Sequence, residues 1–358
     1  MTRTRMRAAL WYGARDVRVE QVPVRPPGAG EVTVEVAYCG ICGSDLHEYA
    51  DGPHAVPVGA PHPESGVAAP LVLGHEFCGT VTEVGDGVTG VVPGDRVAVE
   101  PHYRCGRCPR CLAGEYNICR HFGFAGLMGH GGLAERATVP GYMLHRLPES
   151  VSLEQAAVFE PAAVALHAVR RAGIRPGETV AVLGLGPIGL LVTQLAARAG
   201  AGRIVAADRS AARRELAVRL GAAETGTDLD GLTGGEGADV VFEAVGSEQT
   251  LRACLAATRR GGRVMFLGLT GTVRLDAFAL VNNEQTLMTS VGYRDVYPEL
   301  IRMVGEEGVD LAGIVTSTIA LEDVVRDGFE ALLRGEEQIK VLVRPGGRAS
   351  GRGGPRLR

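Results

Sequence analysis

Thr179-Val-Ala-Val-Leu183, followed by Gly184-Leu-Gly186-Pro-Ile-Gly189, sets a short apolar run against a glycine turn and the start of a helix expected to reach about residue 199. Each glycine has its own reason: Gly184 permits the tight turn, Gly186 lets a pyrophosphate approach the backbone, and Gly189 lets the helix pack closely on the strand. The helix N-terminus then faces the phosphates. Pro187 sits in the first turn, where its missing N–H costs nothing, with Ile188 beside it. Residues 204–207 read as the next strand and end in Asp208, at the distance where a carboxylate accepts both ribose hydroxyls of adenosine. These residues therefore read as a dinucleotide site. Asp208 favours NAD; the neighbouring Arg209 could hold the 2′-phosphate of NADP, but the carboxylate next to it would repel that dianion. The alternative is that the glycines only make a strand-to-helix turn.

Outward from this motif, apolar runs at 180–183, 204–207, 240–244, 264–267 and 287–291 alternate with helical stretches, the pattern of a doubly wound parallel sheet. Between Arg7 and Pro148 the pattern is different. Short alternating strands at 17–22, 31–37, 79–84, 96–99 and 137–139 lie between Gly, Pro and Asp turns and predict a β-rich, barrel-like domain with long loops. The expected fold class is thus α/β with two domains: 1–155, to which 296–345 returns through a helix and a short strand at 339–343, and a nucleotide-binding domain at 156–295. A helix within 150–173 joins them. The Gly/Arg-rich stretch 346–358 is expected to be disordered.

With 358 residues and a formal charge of −4, the chain has length for about two cores and no built-in footprint for nucleic acid or a membrane surface. A small-molecule partner is the default. Of 37 basic side chains only Lys340 is a lysine, a bias ascribed to GC-rich coding. The apolar runs are too short or too interrupted to span a bilayer. The basic start, Met1 to Arg7, lacks the apolar core and cleavage site of a signal peptide, so a cytoplasmic location is expected.

Four of the eight cysteines follow the spacing Cys105-x2-Cys108-x2-Cys111-x7-Cys119. Four thiolates at this spacing can wrap one zinc tetrahedrally, and a site so closed folds a loop without doing chemistry. An iron–sulfur cluster and free core cysteines are the alternatives. A second constellation is dispersed: Cys42-Gly-Ser44-Asp-Leu-His47, His75-Glu76, and Glu160 at the domain junction. Singly these residues are weak signals, since a lone His-Glu pair on a loop is more often a surface salt-bridge partner. Together they offer a thiolate, an imidazole and a carboxylate, the three-ligand set of a catalytic zinc that leaves room for a substrate oxygen.

On these motifs the chain resembles the zinc-containing medium-chain alcohol dehydrogenase family over nearly its whole length. The stretch Cys39-Gly-Ile-Cys-Gly-Ser-Asp-Leu-His-Glu-Tyr49, the insert between Asp51 and Glu76, Val99-Glu-Pro101, the helix from Phe159 and Ser290-Val-Gly-Tyr-Arg294 are closest to its 2,3-butanediol dehydrogenase subgroup. The resemblance implies a GroES-like catalytic domain, a Rossmann domain, and homodimers or homotetramers. It makes Cys42 and His75 zinc ligands, with Glu76 or Glu160 as the third and Glu160 ranked slightly ahead. Ser44 and His47 match the family's proton relay. Cys39, Cys78 and Cys254 read as small core hydrophobes, and His130 is a candidate for the lining of the substrate cleft. The expected activity is hydride transfer between NAD and a small secondary alcohol or vicinal diol of the 2,3-butanediol/acetoin type. A polyol (sorbitol-type) or L-threonine dehydrogenase is the runner-up, although no clamp for an amino-acid carboxylate is identifiable. A dinucleotide-binding sensor without chemistry would have no need of Cys42, His75 and Ser44 together.

Overall fold

The structure is a computed structural model and describes residues 5–335 and 338–347. The chain divides into two compact units, one running up to Glu160 and resuming at Tyr297, the other spanning Pro161–Val296.

In the second unit six strands form one sheet in the order Glu224–Gly226, Arg203–Ala207, Thr179–Leu183, Ala238–Glu243, Thr258–Phe266, Thr286–Thr289. Every neighbouring pair is parallel. Parallel neighbours need crossovers, supplied here by the helices Pro187–Arg198, Ala211–Arg219 and Glu248–Ala257 among others. Helices on both faces explain why the central strands read as unbroken apolar runs: Val180, Ala181, Val182, Val240, Val241 and Phe242 are all fully buried. The strand Thr258–Phe266 starts six residues earlier than the apolar run at 264–267 suggests. The part before that run is hidden by charge, because Arg259 Nε pairs with Asp239 at 2.6 Å and Arg263 pairs with Glu178.

The first unit is built on strands. A seven-stranded sheet has the order Leu144–Arg146, Arg96–Val99, Glu76–Val84, Glu31–Gly40, Lys340–Arg344, Val315–Ala320, with Arg136–Pro140 also paired to Glu31–Gly40. A smaller sheet joins Asp16–Pro23, Arg5–Gly13 and Leu71–Val72. Trp11, Leu71, Leu73, Phe77, Leu133 and Phe329 belong to the core of this unit. The returning segment holds one strand that periodicity did not suggest, Val315–Ala320. Three of its six residues are Thr or Ser and it lies at the sheet edge, so it carries little apolar signal. Of the stretch expected to be disordered, Gly346 and Gly347 follow the last strand in a turn, and 348–358 lie outside the described residues. No helix among the described residues is long and apolar enough to cross a membrane.

A Cβ placed on Gly189 would lie 1.8 Å from the carbonyl oxygen of Gly184, a backbone atom that cannot swing aside. Gly189→Ala is expected to destabilise the second unit by about 1–3 kcal/mol, read by thermal unfolding, and to weaken dinucleotide binding in parallel.

Candidate active site

The candidate catalytic residues of the first unit gather around the end of one strand. Glu31–Gly40 lies between Glu76–Val84 and Lys340–Arg344, with Gly40 opposite Glu76 on one side and Leu342 on the other. Beyond Gly40 the chain leaves the sheet and starts the helix Gly43–Asp51, with Cys42 as its N-cap. This stretch is a helix from Gly43 onward. Asp45 explains the start: its Oδ2 accepts the Cys42 backbone N–H at 2.9 Å, satisfying a donor that a helix N-terminus would otherwise orphan.

The other oxygen of Asp45 lies 3.5 Å from His75 Nδ1, and both side chains are buried. One carboxylate thus binds the backbone of Cys42 and stands beside the ring of His75. With Nδ1 turned to Asp45, Nε2 is the nitrogen left to act as a ligand, in the arrangement by which an outer carboxylate orients a metal-binding imidazole. Burial opposes protonation of His75, but Asp45 and Cys42 outweigh it and raise its pKa well above the usual imidazole value. That balance marks a pocket of negative potential, which would welcome a cation. Ser44 Oγ stands 3.4 Å from His75 Nε2. His47, one helical turn further on, is exposed, with its ring 6.2 Å from that of His54.

Cys42, His75 and Glu76 each offer a ligand atom, all within 4.8 Å of one another. Thiolate, imidazole and carboxylate in such proximity fit a zinc ion. Glu160, at the start of the helix Phe159–Ala172, is buried but does not belong to that group. Both oxygens of Glu76 accept from Lys340 Nζ, at 2.7 and 2.8 Å, and the same ammonium donates to the Ile41 carbonyl at 2.8 Å. Burial lowers the pKa of Lys340, while Glu76, Cys42 and Glu160 together raise it above the usual lysine value, so the group stays charged. The pair crosses the intervening strand at Gly40, where a Cβ would lie 2.0 Å from Glu76 Oε2.

The four clustered cysteines converge as their spacing suggests. Sulfur separations are 3.5 Å for Cys105 and Cys119, 3.9 Å for Cys108 and Cys119, and 4.0 Å for Cys105 and Cys111. A tetrahedron with zinc–sulfur bonds of about 2.3 Å has sulfurs about 3.8 Å apart, so the cluster fits a structural zinc. Backbone N–H groups of Cys111 and Arg120 push the Cys108 thiol down to about 6, which favours the thiolate a metal needs. Beside the cluster, His121 Nδ1 pairs with Glu64 at 2.7 Å. Ring contacts lead from here toward His75: Phe122 and Phe124 are 5.0 Å apart, and Phe124 is 5.5 Å from His75.

In the second unit Gly184 has a φ of +94°, and the space a Cβ would occupy on Gly186 is open, as a cradle for a pyrophosphate requires. Asp208 does more than end its strand. Its Oδ2 accepts the Leu185 N–H and its Oδ1 the Ser210 N–H, both at 2.8 Å, so it also pins the glycine turn. Arg209 is exposed beside it.

His130 lies apart from the Cys42 group. Its Nδ1 accepts the Val72 N–H at 3.2 Å, and it lines a mainly apolar cavity of about 270 Å³ with Met6, Leu10 and Val22. Cys39, Cys78 and Cys254 are buried; burial pushes the Cys78 thiol up to about 12 and the other two well above the usual thiol value. Sequence reasoning missed Asp45 and Lys340. The position of Asp45, three residues after an N-cap, was a readable signal, and so was the survival of a lone lysine.

Residues 28–149 match the alcohol dehydrogenase GroES-like domain, and residues 187–306 match the zinc-binding dehydrogenase domain. The chain is 39% identical over 350 residues to (R,R)-butanediol dehydrogenase of Bacillus subtilis (strain 168), an alignment covering 95% of this chain and 100% of that one. It is 33% identical to sorbitol dehydrogenase of the same organism, covering 95% and 97%. The crystal structure of 2R,3R-butanediol dehydrogenase from Bacillus subtilis superposes with a TM-score of 0.88 at 38% identity, over 95% of this chain and 100% of that one. A zinc-binding dehydrogenase from Sinorhizobium meliloti 1021, bound to NADP, superposes with a TM-score of 0.86 at 31% identity, over 96% and 100%. The chain belongs to the zinc-dependent medium-chain alcohol dehydrogenase family of oxidoreductases.

Replacing Cys108 with Ser should remove one metal equivalent per chain, measured by elemental analysis, and raise the rate of proteolytic cleavage within 105–119 by about tenfold or more. Because these four sulfurs close their own site, the other metal equivalent should remain.

Proposed function

We propose that this protein is an NAD-linked, zinc-dependent dehydrogenase of small secondary alcohols or vicinal diols of the 2,3-butanediol/acetoin type. One observation carries the reading: Asp45 holds Cys42 and His75 together with Ser44 Oγ alongside, on the same face as the imidazole Nε2. Zinc held by Cys42 and His75, with Glu76 or Glu160 as the third ligand, would supply a Lewis acid for the substrate oxygen, and NAD would supply the hydride acceptor. The chain does the rest. Ser44, in the first turn of its helix, is placed to take the hydroxyl proton of the substrate. His47, one turn on and exposed, passes that proton to water. Gly184, Gly186, Pro187, Ile188 and Gly189 present backbone to the pyrophosphate, and Asp208 takes the adenosine ribose.

Support for the diol comes from the similarity to butanediol dehydrogenase. The similarity to sorbitol dehydrogenase keeps a polyol as the second reading. Asp208 supports NAD, while the exposed Arg209 makes NADP the cofactor to test against it. We place the enzyme in the cytoplasm as a homodimer or homotetramer, which mass photometry would check.

The deciding experiment measures dinucleotide reduction with the 2,3-butanediol stereoisomers, sorbitol and threonine, each with NAD and NADP. Butanediol with NAD should give the highest kcat/KM. A zinc-loaded protein that binds NAD but turns over no alcohol would overturn the proposal. Ser44→Ala should lower kcat by about 10²–10⁴-fold with the metal content unchanged, and Cys42→Ala should abolish turnover.

A further inference from the structure

In a chain whose other basic side chains are all arginine, the single lysine is 1% exposed and faces a carboxylate that is fully buried. An ammonium has three donors on a compact, rotatable head. In Lys340 all three are engaged, with the two oxygens of Glu76 and the carbonyl of Ile41, the residue preceding Cys42. A planar guanidinium would match the two carboxylate oxygens but has no third donor set out of plane for Ile41.

We propose that Lys340 is a positioning residue that keeps the metal site of the first unit open, by retaining Glu76 as its own counter-charge. This rests on the reading of Cys42 and His75 as zinc ligands, with Glu160 and not Glu76 as the third. A buried carboxylate must be neutralised by a partner. Two cations can serve Glu76: the ammonium already on it, and a metal held by Cys42 and His75, whose ligand atoms lie within 4.8 Å of its own. While Lys340 is present, the charge of Glu76 is satisfied and each of its oxygens is already bonded to the ammonium. Without Lys340 the metal is the one cation left, and Glu76 is drawn into its coordination. With Glu160 as the third ligand, Glu76 would then complete a set of four protein ligands, the closed arrangement of a structural site.

Two consequences have opposite signs, which separates this role from simple support of the fold. Lys340→Met should hold its metal more tightly, with release to a chelator slowed about 10–100-fold, while kcat falls by about 10–100-fold. Its metal-free form should melt well below the metal-free wild type, because Glu76 is then buried without a partner. The double variant Glu76→Gln, Lys340→Met replaces the ion pair with neutral groups. It should release metal at about the wild-type rate and recover part of the lost kcat. Cobalt-loaded forms would follow coordination directly, with the visible spectrum of Lys340→Met differing from that of the wild type and the double variant returning toward it.

The proposal is overturned if Lys340→Met loses metal as fast as or faster than the wild type, or if the double variant is no better than the single one. Should Lys340→Met fail to fold, the double variant and Lys340→Arg carry the test. Lys340→Arg should fall between the wild type and Lys340→Met in both metal release and kcat, and equality of all the folded variants with the wild type would refute the role. A wild-type chain that holds only the four-cysteine metal would instead overturn the underlying reading of Cys42 and His75.

Discussion

The geometry of the first unit depends on the register of one strand. Glu31–Gly40 is paired on both edges, and its last residue stands opposite Glu76 on one side and Leu342 on the other. A slip of one residue along either edge would turn every side chain of that strand to the opposite face. Glu76 would then point away from Lys340, and Cys42 would leave the sheet in another direction. Two contacts secure the register near the site. The Glu76 carboxylate lies across Gly40, the one residue type that leaves room for it. Lys340 Nζ also ties the Ile41 carbonyl to a strand roughly three hundred positions later in sequence.

Asp45 converts this scaffold into a chemical site. A thiolate and an imidazole on separate segments would ordinarily move independently, each with its own rotamer freedom. Here a single buried carboxylate serves both, as hydrogen-bond acceptor for a backbone N–H on one side and as the counter-charge 3.5 Å from a ring nitrogen on the other. Preorganisation of this kind is what distinguishes a site that holds a cation in a defined geometry from one that merely attracts it. Ring contacts also run from Phe122 through Phe124 to His75, so the imidazole packs against the segment that follows the four-cysteine loop.

What the sequence disclosed follows the range of each interaction. The glycine turn at 184–189 and the four cysteines at 105–119 are local patterns whose meaning lies in spacing, and both could be read directly. Cys42, Ser44, His47 and His75 had to be read jointly, because each alone is a weak signal in the sequence. The helix Gly43–Asp51 escaped notice because Gly-Ser-Asp at its start carries the composition of a turn, and only the Asp45 bond to Cys42 shows that it is a cap. The Glu76–Lys340 pair could not be inferred from spacing, since 264 positions separate its members. Composition held the clue, and an explanation by codon bias concealed it.

The burial of Lys340 gives the molecule an unusual outer chemistry. The one lysine amine is buried, so in the folded protein an amine-acylating reagent finds no lysine to modify. Opening of the first unit would expose one fresh amine at a known position. The extent of labelling at Lys340 would thus report how often that sheet comes apart, without any engineered probe.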